Sequence, residues 1–250
     1  MFLNIHLENL GGLTTLTLRT LSALRRRPFE WGSIVRQMEA IGVASLSITN
    51  ITALFTGMVL ALQTAYALAF FGAKLFIGEV VGLSLVRELG PVLTALMVGG
   101  RVGAGITAEL GSMAVTQQVD AIRVMAADPV KKLVLPRVTA TFIVLPLLTI
   151  LAIMLGILGG LLVAVVELNV SASFYFTHVM RTVTLQDLFT GVGKSFFFAL
   201  IISVIACYNG LNTRGGATGV GRATTETVVM ASIGVLVSDF FITKIFMILL

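Results

Sequence analysis

Residues 138–166 read VTATFIVLPLLTILAIMLGILGGLLVAVV, a run without a single charged side chain. A helix needs about 20 apolar residues to cross the hydrocarbon core of a bilayer, and this run is longer than that. A backbone in hydrocarbon has no water to bond, so it must close its own hydrogen bonds, which a helix does within one segment. The alternation expected of a β-barrel strand is missing. Outward from this run the composition keeps the same character. Hydrophobic residues fill 57% of the 250 positions and charged residues only 12%, with a mean hydropathy of +1.01. A soluble domain carries about 25% charged residues. The sequence therefore predicts an all-α integral membrane protein.

Five spans are expected near 41–71, 80–108, 134–166, 189–211 and 228–250. Ahead of them, Asn4, Glu8, Thr15, Arg19, Ser22 and Arg26 recur at helical spacing as one polar stripe. Leu3, Leu7, Leu10, Leu13, Leu21 and Leu24 populate the other side. This pattern fits an amphipathic helix lying in the headgroup region, and equally one packed on protein. The organisation expected is an interfacial helix and connector over 1–40, then a membrane domain over 41–250.

Basic residues set the orientation. Arg25, Arg26, Arg27 and Arg36 precede the first span, and Arg123, Lys131, Lys132 and Arg137 separate the second from the third. Arg214 and Arg222 lie between the fourth and fifth, whereas the opposite loops hold little beyond Lys74 and Arg181. The positive-inside rule places the basic loops and the N-terminus in the cytoplasm and the C-terminus outside. The triple arginine follows the first apolar stretch, so no cleavable signal is expected. The net charge of +5 is accounted for by these flanks and does not point to nucleic acid.

Inside the apolar frame sit Arg87, Glu88 and Arg101. Ionisable groups within a membrane are costly and mark function or a specific partner. Pro91 removes a backbone donor and should bend the second span beside Arg87 and Glu88. Gly99, Gly100, Gly103, Ala104 and Thr107, and later Gly156 and Gly160, give small-xxx-small spacings suited to close helix approach. Arg101 and Glu109, eight residues apart near the cytoplasmic end, share roughly one helix face and suit snorkelling or bracing of the coupling region better than substrate contact.

Several chemistries are excluded. Gly193-Lys194-Ser195 resembles the end of a phosphate loop, but that motif needs a glycine where Leu188 stands, and a preceding strand. The chain is thus not an ATPase and not an enzyme. His6 and His178 are isolated surface residues without metal-ligand spacing, and Cys207 reads as a small core residue. Segment Ser112–Ala127 places Val115, Val119, Ile122 and Ala126 at helical spacing with polar residues on other faces, and Asp128-Pro129 ends it. A short amphipathic helix there is suited to docking in a groove on a soluble partner.

Three stretches carry a resemblance. GMVLALQ (57–63), LVRELGPVLTALMVGGRVGAGITAELGSMAVTQQVDAIRVMAADPVKKLVLPR (85–137) and GVGRATTETVV (219–229) strongly resemble MlaE-type permeases. Those are membrane subunits of bacterial ABC transporters that move phospholipids between inner and outer membranes. Many relatives have glutamate where Gln117 precedes Gln118, which removes a salt bridge from the expected docking helix. The resemblance implies a homodimer in the inner membrane, each copy contacting a cytoplasmic ABC ATPase that holds the ATP and Mg²⁺. It implies a periplasmic MCE-domain lipid-binding hexamer, and in some systems a small STAS-domain subunit. No cofactor is expected on this chain. The coupling helix would correspond to about Met113–Met125, with Val115, Gln117, Gln118, Val119, Asp120, Ile122 and Arg123 facing the ATPase. Leu60, Gln63, Tyr66, Ala67, Arg87, Glu88, Leu89 and Val92 would line the lipid cavity. The fork-shaped guanidinium of Arg87 suits a phosphate, with Glu88 pairing with Arg87 or a second copy, and a purely structural Arg87–Glu88 ion pair is the equal alternative. Two other readings compete: an autonomous secondary transporter, and a membrane scaffold that only recruits soluble partners.

Overall fold

The computed structural model describes residues 2–24, 30–69 and 76–249, with side chains described within 11–24, 30–68 and 76–248. Expectations resting on Arg25, Arg26, Arg27 and Lys74, and on the side chains of Leu3, Asn4, His6, Leu7, Glu8 and Leu10, fall outside those residues. Every regular element described is helical. An N-terminal helix, Phe2–Leu24, precedes five helices long and apolar enough to cross a membrane. These are the first span Trp31–Ala69, the second Ile77–Val115, the third Val130–Val166, the fourth Leu185–Leu211 and the fifth Gly216–Leu249. Short helices Gln118–Val124 and Ala172–Thr182 lie in the connections. The protein is a multi-pass, all-α membrane protein.

Two helices begin well before the apolar runs that announced them. The first span starts at Trp31, not near 41, so the expected connector is already helix. Arg36, Gln37 and Glu39 lower the hydropathy of 31–40 without interrupting the backbone. The fifth span starts at Gly216, not near 228. Its polar opening is stabilised by hydroxyls that bond their own helix: Thr224 and Thr225 both donate to Gly221 O, at 2.7 and 3.1 Å. Gly215 and Gly216, at φ 90° and 69°, make the turn that admits it, a conformation glycine adopts without a Cβ clash.

The chain divides into two compact units, and all five spans contribute to both. One comprises Met1–Ala44, Val98–Val144 and Phe198–Ser238; the other comprises Ser45–Met97, Leu145–Phe197 and Asp239–Leu250.

In the first unit the N-terminal helix buries Leu16, Thr20 and Ala23 and leaves Leu18, Leu21 and Leu24 exposed. Buried Thr107 of the second span lies 3.0 Å from Ala206 O and 2.9 Å from Thr227 Oγ1. Asn209 Nδ2 donates to the same Thr227 hydroxyl at 2.9 Å. These bonds tie the second, fourth and fifth spans where no water competes for them. Glu109 does not work with Arg101, which is exposed. Its partner is Arg137 of the third span, at 2.7 Å, and Arg137 Nη1 also donates to Leu133 O. Cys207 is buried, as a small core residue.

Segment Ser112–Ala127 is not one helix. The second span runs on to Val115, Gln117 turns left-handed at φ 61°, and a separate helix covers Gln118–Val124. Ala126, at φ 57°, already ends that helix before Asp128-Pro129. Those two residues instead start the third span: Asp128 Oδ1 accepts from Val130 N at 2.9 Å, and Pro129 occupies the first turn, where a missing N–H does no harm.

In the second unit the core joins Ala61, Ala65, Ile77, Val81, Leu85, Val163, Ala164, Tyr175 and Val179. Burial pushes the Tyr175 phenol well above its ordinary range, so the side chain stays neutral. The tightest approaches between helices are not at Gly99–Gly103, which meet only the Ile202 and Thr227 side chains at 3.5 and 3.6 Å, with Gly100 facing open space. They lie where Gly57 meets Gly156 O, Gly159 meets Leu54 O, and Gly191 meets Val86 O, each leaving no room for a β-carbon.

A candidate polar site beside Pro91

The site begins with a local consequence of Pro91. A proline lacks the N–H that would bond the carbonyl four residues back, here Arg87 O. The second span relaxes into a π-helical turn over Leu85–Leu89, in which Gly90 N–H reaches Leu85 O. Arg87 O is then satisfied from another helix: Lys194 Nζ of the fourth span donates to it at 3.1 Å. The same ammonium lies 2.7 Å from Glu88 Oε2 and 2.7 Å from Thr243 Oγ1. Those three bonds use all its hydrogens. Asp239 Oδ1, 3.1 Å away, therefore compensates its charge without a hydrogen bond of its own. Lys194 is completely buried.

Next to it, Arg87 pairs with Asp187, its Nε lying 2.6 Å from Oδ1. Asp187 is held by the start of the fourth span. Its Oδ2 accepts from both the backbone N–H and the hydroxyl of Thr184, each at 2.8 Å, while Thr184 Oγ1 accepts from Asp187 N at 3.3 Å. This reciprocal arrangement is a capping box, which leaves the other carboxylate oxygen for Arg87. The expected Arg87–Glu88 pair does not form. Adjacent on one turn, the two side chains point to different neighbours, Asp187 and Lys194.

These groups surround a cleft of about 380 Å³ lined by Arg87, Glu88, Thr184, Gln186, Asp187, Thr190, Thr243, Phe246 and Met247. Lys194, Asp187 and Asp239 are sequestered, whereas the Arg87 and Glu88 side chains keep 48% and 41% exposure. Of the three charged residues lining the cleft, the two that stay exposed are thus of opposite sign. Two cations stand against three carboxylates. In a low-dielectric setting such pairs persist only where their geometry and remaining hydrogen bonds are good.

A second, open groove of about 390 Å³ runs along the first span, lined by Thr52, Phe55, Thr56, Val59, Leu60, Gln63 and Leu89. The candidate lining residues therefore separate. Leu60, Gln63 and Leu89 meet in the groove, and Arg87 and Glu88 in the cleft. Tyr66 and Ala67 are exposed and Val92 is half-buried, and all three lie outside both.

Asp187, Lys194, Asp239 and Thr243 were not anticipated. Lys194 is the one charge of 188–211, and Asp239 shares the apolar run 228–250 with Lys244 alone, which is the signal that a membrane setting gives. Nothing in the sequence pairs them, since their partners are 45 to 107 residues away. His178 is not isolated either. Its Nδ1 lies 2.6 Å from Glu79 Oε1 and its ring lies 4.1 Å from that of Phe174.

Of the residues expected to dock a partner, Gln117, Gln118, Asp120 and Arg123 are exposed, Val115 and Ile122 are half-buried and Val119 is buried. Asp120 and Arg123 pair with each other at 2.7 Å. The apolar surface offered at the tip is Val124 and Met125, 87% and 70% exposed.

A family profile described as Permease MlaE matches residues 34–245. The chain is 43% identical over 239 residues to a probable ABC transporter permease protein of Rickettsia felis, covering 96% of this chain and 92% of that one. It is 42% identical over 209 residues to a probable ABC transporter permease protein of Synechocystis, covering 84% and 80%. It is also 42% identical over 213 residues to the intermembrane phospholipid transport system permease protein MlaE of Haemophilus influenzae, covering 85% and 82%.

Proposed function

Because this chain belongs to the MlaE permease family, we propose that it is the membrane subunit of an ABC transporter moving phospholipids between the inner and outer membranes. The observation that carries this reading is the cleft beside Pro91, where opposite charges face a cavity inside an otherwise apolar segment. A phospholipid headgroup needs such a place. The planar fork of Arg87 suits a phosphate, and Asp187 holds it in position. Glu88 offers a carboxylate to the cationic end of a zwitterionic headgroup, and the groove along the first span suits acyl chains.

The topology follows from the basic flanks, with the N-terminus cytoplasmic and the C-terminus periplasmic in an inner membrane. The N-terminal helix lies at the membrane interface, its exposed Leu18, Leu21 and Leu24 in lipid. Residues 113–125 dock on a cytoplasmic ATPase that binds ATP and Mg²⁺, with Val124 and Met125 entering its groove. Two copies of the chain work together with two ATPases. A periplasmic MCE-domain hexamer receives or delivers lipid, and a STAS-domain subunit joins some assemblies. Closure of the two ATPases then reshapes the cavity by rigid-body motion.

Native mass spectrometry of the complex extracted gently from its source membrane tests the assembly. Two copies with two ATPases and retained phospholipid support the reading. A lone chain without ATPase or lipid favours an autonomous transporter, and a partner without lipid favours a scaffold. Arg87→Ala should lower lipid transfer in proteoliposomes about tenfold, the order expected for a lost charged hydrogen bond, while assembly and ATP hydrolysis persist. Transfer at the wild-type rate would remove Arg87 from the headgroup site. Val124→Asp places a charge in an apolar contact and should weaken ATPase binding by roughly tenfold or more. Unchanged co-purification would place the docking surface elsewhere.

A further inference from the structure

A second polar feature lies within the unit that holds the charged cleft, and it contains no charge. Ser45, Thr49, Thr52 and Thr56 recur every three or four residues along the first span, as a hydroxyl stripe on one helix face. Thr49, Thr52 and Thr56, together with Thr94 of the second span, line a narrow slot whose remaining wall includes Leu85, Leu89, Gly90 and Ala152. The slot holds only about 10 Å³, room for roughly one water.

What marks these hydroxyls is how they differ from the others. Helical threonines elsewhere, such as Thr139, Thr141, Thr149 and Thr190, donate to the carbonyl four residues back. In apolar surroundings that is the ordinary way to satisfy a hydroxyl. Among the described residues, the hydroxyl of Thr49 is buried with no partner, although Thr49 is 2% exposed. Ser45 Oγ and Asn50 Oδ1, close by on the same helix, are in the same condition. A buried unpartnered polar group is costly, and Thr49 is one that lines the slot, so the slot fits a polar occupant.

The slot opens where that occupant would lie. Thr52, Thr56 and Leu89 line both the slot and the groove of about 390 Å³, a volume in the range of ligand sites. The groove is otherwise walled by apolar Phe55, Val59 and Leu60, with Gln63 at its other polar point. Its chemistry is therefore a hydrocarbon channel with uncharged hydrogen-bond donors at one edge. An acyl chain joined through an ester has that pattern: an apolar tail ending in a carbonyl that accepts but cannot donate.

We propose that Thr52 and Thr56, at the mouth of the slot, bind the ester carbonyl oxygens of the transported lipid, with one water inside the slot satisfying Thr49. The assignment rests on the phospholipid reading above and extends it from the headgroup to the glycerol-ester region. The permease then recognises a lipid at two separate places, charged groups by the cleft and ester oxygens by the hydroxyl stripe.

The test compares two lipids of the same headgroup and chain length, one diacyl and ester-linked, the other dialkyl and ether-linked without carbonyls. The intact transporter complex is reconstituted in proteoliposomes and lipid transfer is followed. The wild type should move the ester lipid about tenfold faster, on the order of one hydrogen bond. A Thr52→Val/Thr56→Val variant, which keeps the side-chain shape and removes the hydroxyls, should move both lipids at the slower rate. Its melting temperature should stay close to the wild type, and if the double variant fails to assemble, each single variant serves the same comparison. Equal wild-type transfer of both lipids overturns the ester site, and so does a preference retained by the valine variants. Equal slowing of both lipids by the variants, without a wild-type preference, assigns the hydroxyls to water alone and overturns it too. A wild-type complex that moves neither lipid overturns the transport reading itself.

Discussion

Lys194→Met is expected to destabilise the protein by about 3–5 kcal/mol, the range for removing one partner of a buried ion pair. The loss has three sources. Glu88 and Asp239 lose the cation that compensates them, Thr243 loses a partner, and Arg87 O is left without the donor that Pro91 had already denied it. Methionine fills similar space, so the effect reports charge and hydrogen bonding more than a cavity. Thermal melting of the purified protein in lipid nanodiscs should show a fall of roughly 10 °C. Adding Glu88→Gln and Asp239→Asn to Lys194→Met should restore part of it, since the uncompensated charges are then gone. A Lys194→Met protein that melts with the wild type would mean the ammonium is not the centre of this cluster.

Gly57→Ala is the second large effect. A β-carbon at this position falls on the carbonyl oxygen of Gly156, and backbone cannot rotate aside as a side chain can. The first and third spans must move apart, at a cost of roughly 1–3 kcal/mol or more. In a membrane, close packing is much of what holds helices together, because lipid tails are as apolar as leucine. Gly100→Ala is the matched control: its β-carbon meets open space, and in a helix alanine is favoured over glycine by about 0.5–1 kcal/mol. The two variants should therefore shift the melting temperature in opposite directions. Parallel behaviour would contradict the backbone contact.

Both predictions concern residues that the sequence made visible without explaining. Lys194 stood out as a cation in the apolar part of the fourth span, and its neighbours Gly193 and Ser195 invited comparison with a phosphate loop. Pro91 announced a distortion of the second span, and the π-helical turn over Leu85–Leu89 is its form. The link between them is a hydrogen bond to a carbonyl, and no side-chain pattern encodes that. Gly57 likewise belongs to the GMVLALQ stretch, but its contact with Gly156 depends on how the first and third spans cross.

Composition and hydrophobic run length by themselves determined that this chain is an all-α membrane protein with five spans. In a bilayer every backbone must satisfy itself locally, so the secondary structure leaves little to tertiary context. Local spacing also exposed Arg87 and Glu88 as groups needing a reason to be there. Tertiary structure alone decided which charges meet: Arg87 with Asp187, Glu88 with Lys194, Glu109 with Arg137. It also decided where the polar segments continue as helix, at Trp31 and Gly216, and where the loop after the second span breaks, at Gln117. The division has a physical basis. Burying apolar surface is non-directional and sums along the sequence, whereas an ion pair or a buried hydroxyl depends on a few ångströms set by distant parts of the chain.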